Sequence, residues 1–259
     1  MGARTAGSPV VVVGGGPAGL IAAEVLATAG ASVTLIERMP SPGRKFQLAG
    51  RSGLNLTHDQ PIADLVANYG RDGPRLAGAI EAFGPEALRT WSAGLGVETF
   101  VGSSGRIFPV GGRSTTLLRA WISRLDEIGV ERRTGHEWRG WHDDGSLAVV
   151  DLATGGDAAV GTPVATLLAL GGASWPRTGS DGAWVRSIEA VGIRAAPLRP
   201  ANCGLVLTWS RSFLQRFEGT PVKNVRLAYG TRTVAGDLVV TRDGLEGGPV
   251  YALSSAVGA

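Results

Sequence analysis

An unbroken apolar run, Val10-Val11-Val12-Val13, opens directly into Gly14-Gly15-Gly16-Pro17-Ala18-Gly19-Leu20. The apolar-periodic segment Leu20 to Ala29 follows, Gly30 closes it, and a second strand, Ser32 to Ile36, ends in an acid, Glu37. A strand, G-x-G-x-x-G, a helix and a second strand with an acid at its end make a βαβ unit for holding a dinucleotide. Each residue has a physical task. Gly14 permits the tight turn out of the strand. Gly16 has no side chain to keep a pyrophosphate off the backbone. Gly19 lets the helix pack closely on the sheet. Pro17 suits the first helical turn, where its missing N–H is not needed. Together with Ala18 it opens a helix whose N-terminal N–H groups face the phosphates. Glu37, eighteen residues past Gly19, stands where an acid accepts hydrogen bonds from an adenosine ribose. Glu37 also repels a ribose 2′-phosphate, and Arg38 beside it works against that repulsion. A glycine-rich corner without a ligand would explain the glycines but not the acid.

The rest of the chain reads as α/β. Met39 to Lys45 is a proline-punctuated loop carrying the cations Arg44 and Lys45, and Gly50 to His58 is a second polar, glycine-bearing loop. Pro61 to Gly96 reads as helices broken at Gly70, Gly73 and Gly84-Pro85. Arg106 to Val110 is a short strand, and Ser114 to Ile128 an amphipathic helix. From Val130 to Leu170 the pattern is strands with turns at Asp143-Asp144-Gly145 and Gly155-Gly156. The last, Val164 to Leu170, is apolar throughout, as in a parallel strand buried on both faces. It ends in Gly171-Gly172, and a helix follows from Ala183, capped by Ser180 or Asp181. Pro197-Leu198-Arg199-Pro200 marks a boundary between a domain of residues 1–198 and a β-rich one of residues 199–259. Strands are expected there at Gly204–Trp209, Val222–Tyr229 and Thr233–Thr241, then the opening of a helix from Tyr251.

Of the 259 residues, 44% are apolar and 40 are glycine, a loop-rich core-forming composition and not a low-complexity one. A net charge of +3 spread along the chain, without basic runs interleaved with aromatics, excludes a nucleic-acid reading. Cys203 is the sole cysteine, so there is neither an internal disulfide nor a dithiol relay; it reads as a buried strand residue. His58, His136 and His142 share no spacing with carboxylates, read as surface residues, and give no metal site. No apolar stretch reaches membrane-spanning length, and a strand at residue 10 leaves no room for a signal peptide, so a cytoplasmic protein is expected.

Four segments in order carry a family resemblance: Gly14 to Gly19; Gly43-Arg44-Lys45 leading to Arg51-Ser52-Gly53-Leu54-Asn55-Leu56-Thr57; Leu170 to Gly182; and Arg199-Pro200-Ala201-Asn202-Cys203-Gly204. On these the chain resembles the bacterial HI0933-like flavoproteins, the aminoacetone oxidase-like or BaiN-like group. The resemblance implies a Rossmann-like FAD/NAD(P)-binding domain, a parallel sheet with a β-meander, followed by the start of an inserted antiparallel β domain. It implies FAD as cofactor, with Gly171 and Gly172 against it, and a hydride-transferring oxidoreductase acting on a small molecule. A nicotinamide cofactor or oxygen would be the redox partner. It departs from the group at Leu54, where many members carry cysteine, and in length, since members continue past the inserted domain and return to the flavin. That implies a C-terminally truncated member.

The residues alone leave alternatives open. The βαβ unit would also suit NAD, so an NAD(P)-binding dehydrogenase and a non-catalytic dinucleotide-binding remnant or subunit stand beside the flavoenzyme. Arg44 and Lys45 could neutralise the pyrophosphate, approach the flavin, or belong to a solvated loop. Asn55 and Thr57 could donate to the flavin or substrate, or cap a turn. Trp175 could cover the ring or be an ordinary buried tryptophan. No acid–base constellation is visible, as suits an enzyme whose cofactor carries the chemistry.

Overall fold

The computed structural model describes residues 9–49 and 53–257. Gly50-Arg51-Ser52, part of the second motif, and Gly258-Ala259 lie outside the described residues. The chain divides into two units, one reaching to Ala195 and one starting at Ala196.

The first unit begins with β1 (Val10–Val13), α1 (Pro17–Thr28) and β2 (Val33–Glu37). Ala- and Leu-rich sequence favours helix across α1, and Pro17 sits at its start. Gly30, at φ 92°, ends it: Gly30 N–H donates to Ala27 O and Ala31 N–H to Leu26 O, a left-handed closure open to glycine at little steric cost. Arg44–Ala49 forms α2, so Arg44 and Lys45 open a helix and are not loop residues. The chain continues through β3 (Thr57–His58), α3 (Ile62–Ala67), α4 (Gly73–Ala82), α5 (Pro85–Gly94), β4 (Thr99–Val101) and β5 (Arg106–Pro109). These three strands form a small antiparallel sheet in the order β3-β5-β4. Then come α6 (Ser114–Glu127), β6 (Glu131–Thr134), β7 (His136–Trp141), β8 (Leu147–Asp151), β9 (Ala165–Leu168) and α7 (Trp184–Glu189).

β6-β2-β1-β9 is a four-stranded parallel sheet. The chain moves outward from β1 to β2 to β6, then returns to β9 on the other side of β1. The strand order therefore reverses between β1 and β9, the point where open α/β sheets bind ligands beyond their carboxyl ends. Period-two alternation sends Val12, Val33 and Leu35 to one face, against Leu20, Ala23 and Ala27 of α1 and Leu118, Trp121 and Leu125 of α6. Val11, Val13 and Ile36 go to the other, under Trp138, Leu147 and Val149 of the β7–β8 hairpin, with Trp184 and Ile188 of α7. The hairpin and an antiparallel bridge between Val150 and Asp157 form the meander.

β9 departs from expectation. Its apolar run predicts burial on both faces, but β9 pairs with β1 alone among the described residues. At this sheet edge Val164 is 69% and Leu167 37% exposed.

Within α1, Glu24 is buried and receives three donors: Trp121 Nε1 at 2.7 Å, Trp91 Nε1 at 3.0 Å and Arg124 Nη1 at 3.0 Å. A buried carboxylate is tolerable only with such partners.

The second unit holds β10 (Leu205–Val206), α8 (Arg211–Phe217), β11 (Pro221–Tyr229), β12 (Arg232–Thr241), β13 (Gly244–Gly247) and α9 (Gly248–Val257). Its sheet is antiparallel, β10-β13-β12-β11. Leu238 and Val240 of β12 and Val250 and Leu253 of α9 form its buried interior. α8, capped by Ser210 Oγ accepting from Phe213 N–H, and the short β13 lack a clear sequence signal. Cys203 lies in the segment before β10, half-buried and outside any strand.

Candidate dinucleotide site

A cavity of about 600 Å3 opens at the carboxyl ends of β1 and β9. The glycine loop forms its floor. Gly14 takes φ 106°, and a Cβ there would strike the backbone carbonyl of Ala169 at the end of β9. A Cβ on Gly19 would strike Gly14 O, so Gly19 seats α1 against the loop and does not line the cavity. Gly16 differs. It is the N-cap of α1, extended at φ −76° and ψ 178°, and a Cβ on it would meet no protein atom within 4 Å. The bare backbone faces open space, at a helix start with no side-chain cap and no acid in its first turn. That is the polarity an anion needs.

Glu37 stands beside the loop. Its Oε2 accepts from Gly15 N–H and its Oε1 from Met39 N–H, each at 2.7 Å. Burial pushes its carboxyl above the ordinary range, against the pull of these two N–H groups and of the Arg38 and Arg44 charges. Each carboxylate oxygen keeps a second lone pair for another donor.

Of the residues singled out in the sequence, Gly14, Gly16, Pro17, Ala18, Glu37, Arg38, Arg44, Lys45, Gly171 and Gly172 line this cavity. Asn55, which is exposed, and Thr57, in β3, do not. Arg38 is held by Asp181 at 2.7 Å and Glu137 at 3.5 Å. Lys45 Nζ donates to Ser174 Oγ at 2.7 Å. The carbonyls of Gly171 and Gly172 are taken by Trp184 Nε1 and Ser180 Oγ, at 3.2 and 2.9 Å. Ser180 therefore does not cap α7; the Asp181 carboxylate accepts Ala183 N–H at 3.0 Å, just ahead of it.

Two expectations are corrected. Trp175 is 50% exposed and off the cavity wall, which Trp184 lines instead. His136 is not a surface bystander but a wall residue. Its Nδ1 lies 2.9 Å from Thr134 O; a carbonyl only accepts, so Nδ1 is the donor in this contact. The sequence also missed the β7 wall residues Glu137, Trp138 and Arg139, because strand residues carry no motif. Two buried donors on the wall, Arg44 Nε and Trp138 Nε1, have no hydrogen-bond partner among the described residues. Unpartnered buried donors favour a ligand rich in acceptors. The residues present thus fit a dinucleotide. Among the described residues no cluster of His, Cys, Asp and Glu could hold a metal ion, and no helix is long and apolar enough to cross a membrane.

The fold is similar to that of 3-ketosteroid-Δ4-(5α)-dehydrogenase from Rhodococcus jostii RHA1, with 19% identity and a TM-score of 0.53 over 71% of this chain and 54% of that one. Matches also include a flavocytochrome c3 fumarate reductase (19% identity, TM-score 0.49, 71% of this chain and 40% of that one) and Thermovibrio ammonificans THI4 (20%, 0.34, 55% and 45%). The chain spans about half the length of these structures. The HI0933-like protein Rossmann domain matches residues 8–249, and the chain belongs to that family.

Proposed function

We propose that this chain is the cofactor-binding part of an FAD-dependent oxidoreductase acting on a small molecule. Residues 1–198 form the FAD-binding domain in this reading, and residues 199–259 belong to a second, β-rich domain. One observation carries it: the open backbone at Gly16, at the start of α1, where the sheet order reverses. Bound there, FAD supplies hydride-transfer chemistry. The chain's own residues bind and orient it. Gly14 to Ala18 and the N-terminus of α1 hold the pyrophosphate. Glu37 accepts a ribose hydroxyl on its free lone pairs. Arg44 and Lys45 offset the phosphate charge, and Gly171 and Gly172 let the backbone approach. His136 stands on the β7 wall of the same cavity. Membership of a flavoprotein family favours FAD over a nicotinamide.

The test is calorimetric titration of the full chain with ADP and FAD, beside its visible absorption spectrum. Binding of both, with a bound-flavin band when FAD is added, is expected. A folded protein that binds neither would refute the reading.

A further inference from the structure

A second cavity, about 460 Å3, shares Arg44 and Thr178 with the first. Its other walls are Gln47 and Leu48 of α2 and Arg113, Ser114 and Thr115 where α6 begins. Among the described residues, two guanidinium groups, three hydroxyls and one amide line it, and no carboxylate does. Among the described residues neither Arg44 nor Arg113 is in an ion pair; the carboxylate whose charge interacts with Arg44 is Glu37, on the first cavity. Arg44 Nε is buried without a hydrogen-bond partner among the described residues. The Ser114 hydroxyl donates to Gln47 O at 3.2 Å, tying α2 to α6 and fixing the two arginine-bearing segments together. Arg113 is exposed, but Arg44 is half-buried, and a half-buried guanidinium left unpaired is unfavourable. Its planar fork matches carboxylate and phosphate oxygens. The α6 start, without an acid in its first turn, adds field of the same sign.

We propose that this second cavity is an oxyanion subsite in which Arg113, with Arg44 at the border shared with the cofactor cavity, holds the carboxylate or phosphate of a small acidic substrate. Calling the anion a substrate rests on the cofactor reading above; the binding of an anion does not.

The experiment titrates the full chain with inorganic phosphate and with succinate, each with and without saturating ADP, which fills the pyrophosphate cradle. At least one probe is expected to bind in the presence of ADP. Arg113→Ala should weaken it by about tenfold or more, the scale of a lost charge-assisted hydrogen bond, and leave ADP affinity and thermal unfolding unchanged. Arg113→Lys should fall between. If neither probe binds with ADP present, or Arg113→Ala leaves probe affinity unchanged, the subsite is refuted. Loss of probe binding on adding ADP also refutes it, since the probe then sat in the cradle. If ADP itself fails to bind, the cofactor reading falls, and the Arg113 comparison without ADP still decides the subsite.

Discussion

The carboxylate of Glu37 accepts the backbone N–H of Gly15 at 2.7 Å, so the acid ending the second strand holds the loop ending the first. With Met39 N–H on its other oxygen, Glu37 also fixes the turn that follows β2. Glu37→Ala would leave two backbone donors short of a partner. A loss of about 1–3 kcal/mol in unfolding free energy is expected from each buried donor left unsatisfied, read by denaturant titration. ADP affinity should fall by about 1.5–3 kcal/mol, the worth of a hydrogen bond to a charged acceptor. A variant that is destabilised but binds ADP normally would limit the acid to bracing the loop.

The titration of Glu37 has two opposite consequences. Burial raises its folded pKa above the ordinary value. A raised acid contributes stability that is full below its unfolded pKa and is lost as pH climbs through the folded one. Wild type should therefore lose stability relative to Glu37→Gln as pH rises out of the acid range. ADP binding should run the other way, weakening as pH falls through a value above the ordinary glutamate range. Parallel pH series of denaturant midpoints and ADP titrations check both.

Gly16 and Gly19 stand three residues apart and should fail differently. Gly16 is extended and its missing Cβ faces open space, so Gly16→Val should fold, losing only about 1 kcal/mol as a poorer N-cap. ADP affinity should drop at least about tenfold, or 1.4 kcal/mol. Gly19→Ala would press on Gly14 O and cost about 1–3 kcal/mol of stability through overpacking. Equal destabilisation of both would show the cradle to be only a packing device.

What could be read in the sequence was local. G-x-G-x-x-G, Pro17 and Gly30 act within one turn of chain, and the acid at Glu37 sits at a spacing set by one helix and one strand. The exposure of β9 was illegible because an apolar run reports what a strand could bury, whereas its neighbours decide what it does bury. Arg44 and Lys45 read as loop because Pro40, Pro42 and Gly43 precede them, and the helix they open has no side-chain cap signature. The β7 wall was invisible for another reason: His136 and Trp138 reach the cavity through the sheet's tertiary crossover, which leaves no mark at short range.

Glu24 tests the interior of the first unit. Its carboxylate joins α1 to Trp91, Trp121 and Arg124, and the two indoles meet edge to face at 4.7 Å. Glu24→Ala would leave two indole N–H groups and a guanidinium without their acceptor. A loss of about 3 kcal/mol is expected, as for a broken buried pair. Glu24→Gln, which keeps one acceptor oxygen, should cost less. Thermal unfolding with near-ultraviolet circular dichroism reads both, and an unchanged midpoint in the alanine variant would show that water replaces the network freely.

Arg38 is the residue through which specificity at the ribose can be argued. Alone, an arginine after Glu37 would favour a 2′-phosphate. Here its guanidinium is shared by Asp181 at 2.7 Å and Glu137 at 3.5 Å, so its charge is matched within the protein. ADP-ribose should therefore bind better than its 2′-phosphorylated form, by about tenfold or 1.4 kcal/mol. Removing the competing carboxylates with Asp181→Asn and Glu137→Gln together should narrow that gap by freeing Arg38. The same triad has a pH signature. Burial alone would push Asp181 up, but Ala183 N–H and Arg38 outweigh it and hold the carboxyl below its ordinary range. A lowered acid contributes stability that is present above the unfolded pKa and lost as pH falls through the folded one. These groups are partly exposed, so Arg38→Ala should cost only about 1 kcal/mol near neutrality. That difference should shrink in strong acid, once the Asp181 carboxylate is protonated. Preference for the 2′-phosphorylated ligand in the wild-type chain would show that Arg38 leaves its partners to meet it.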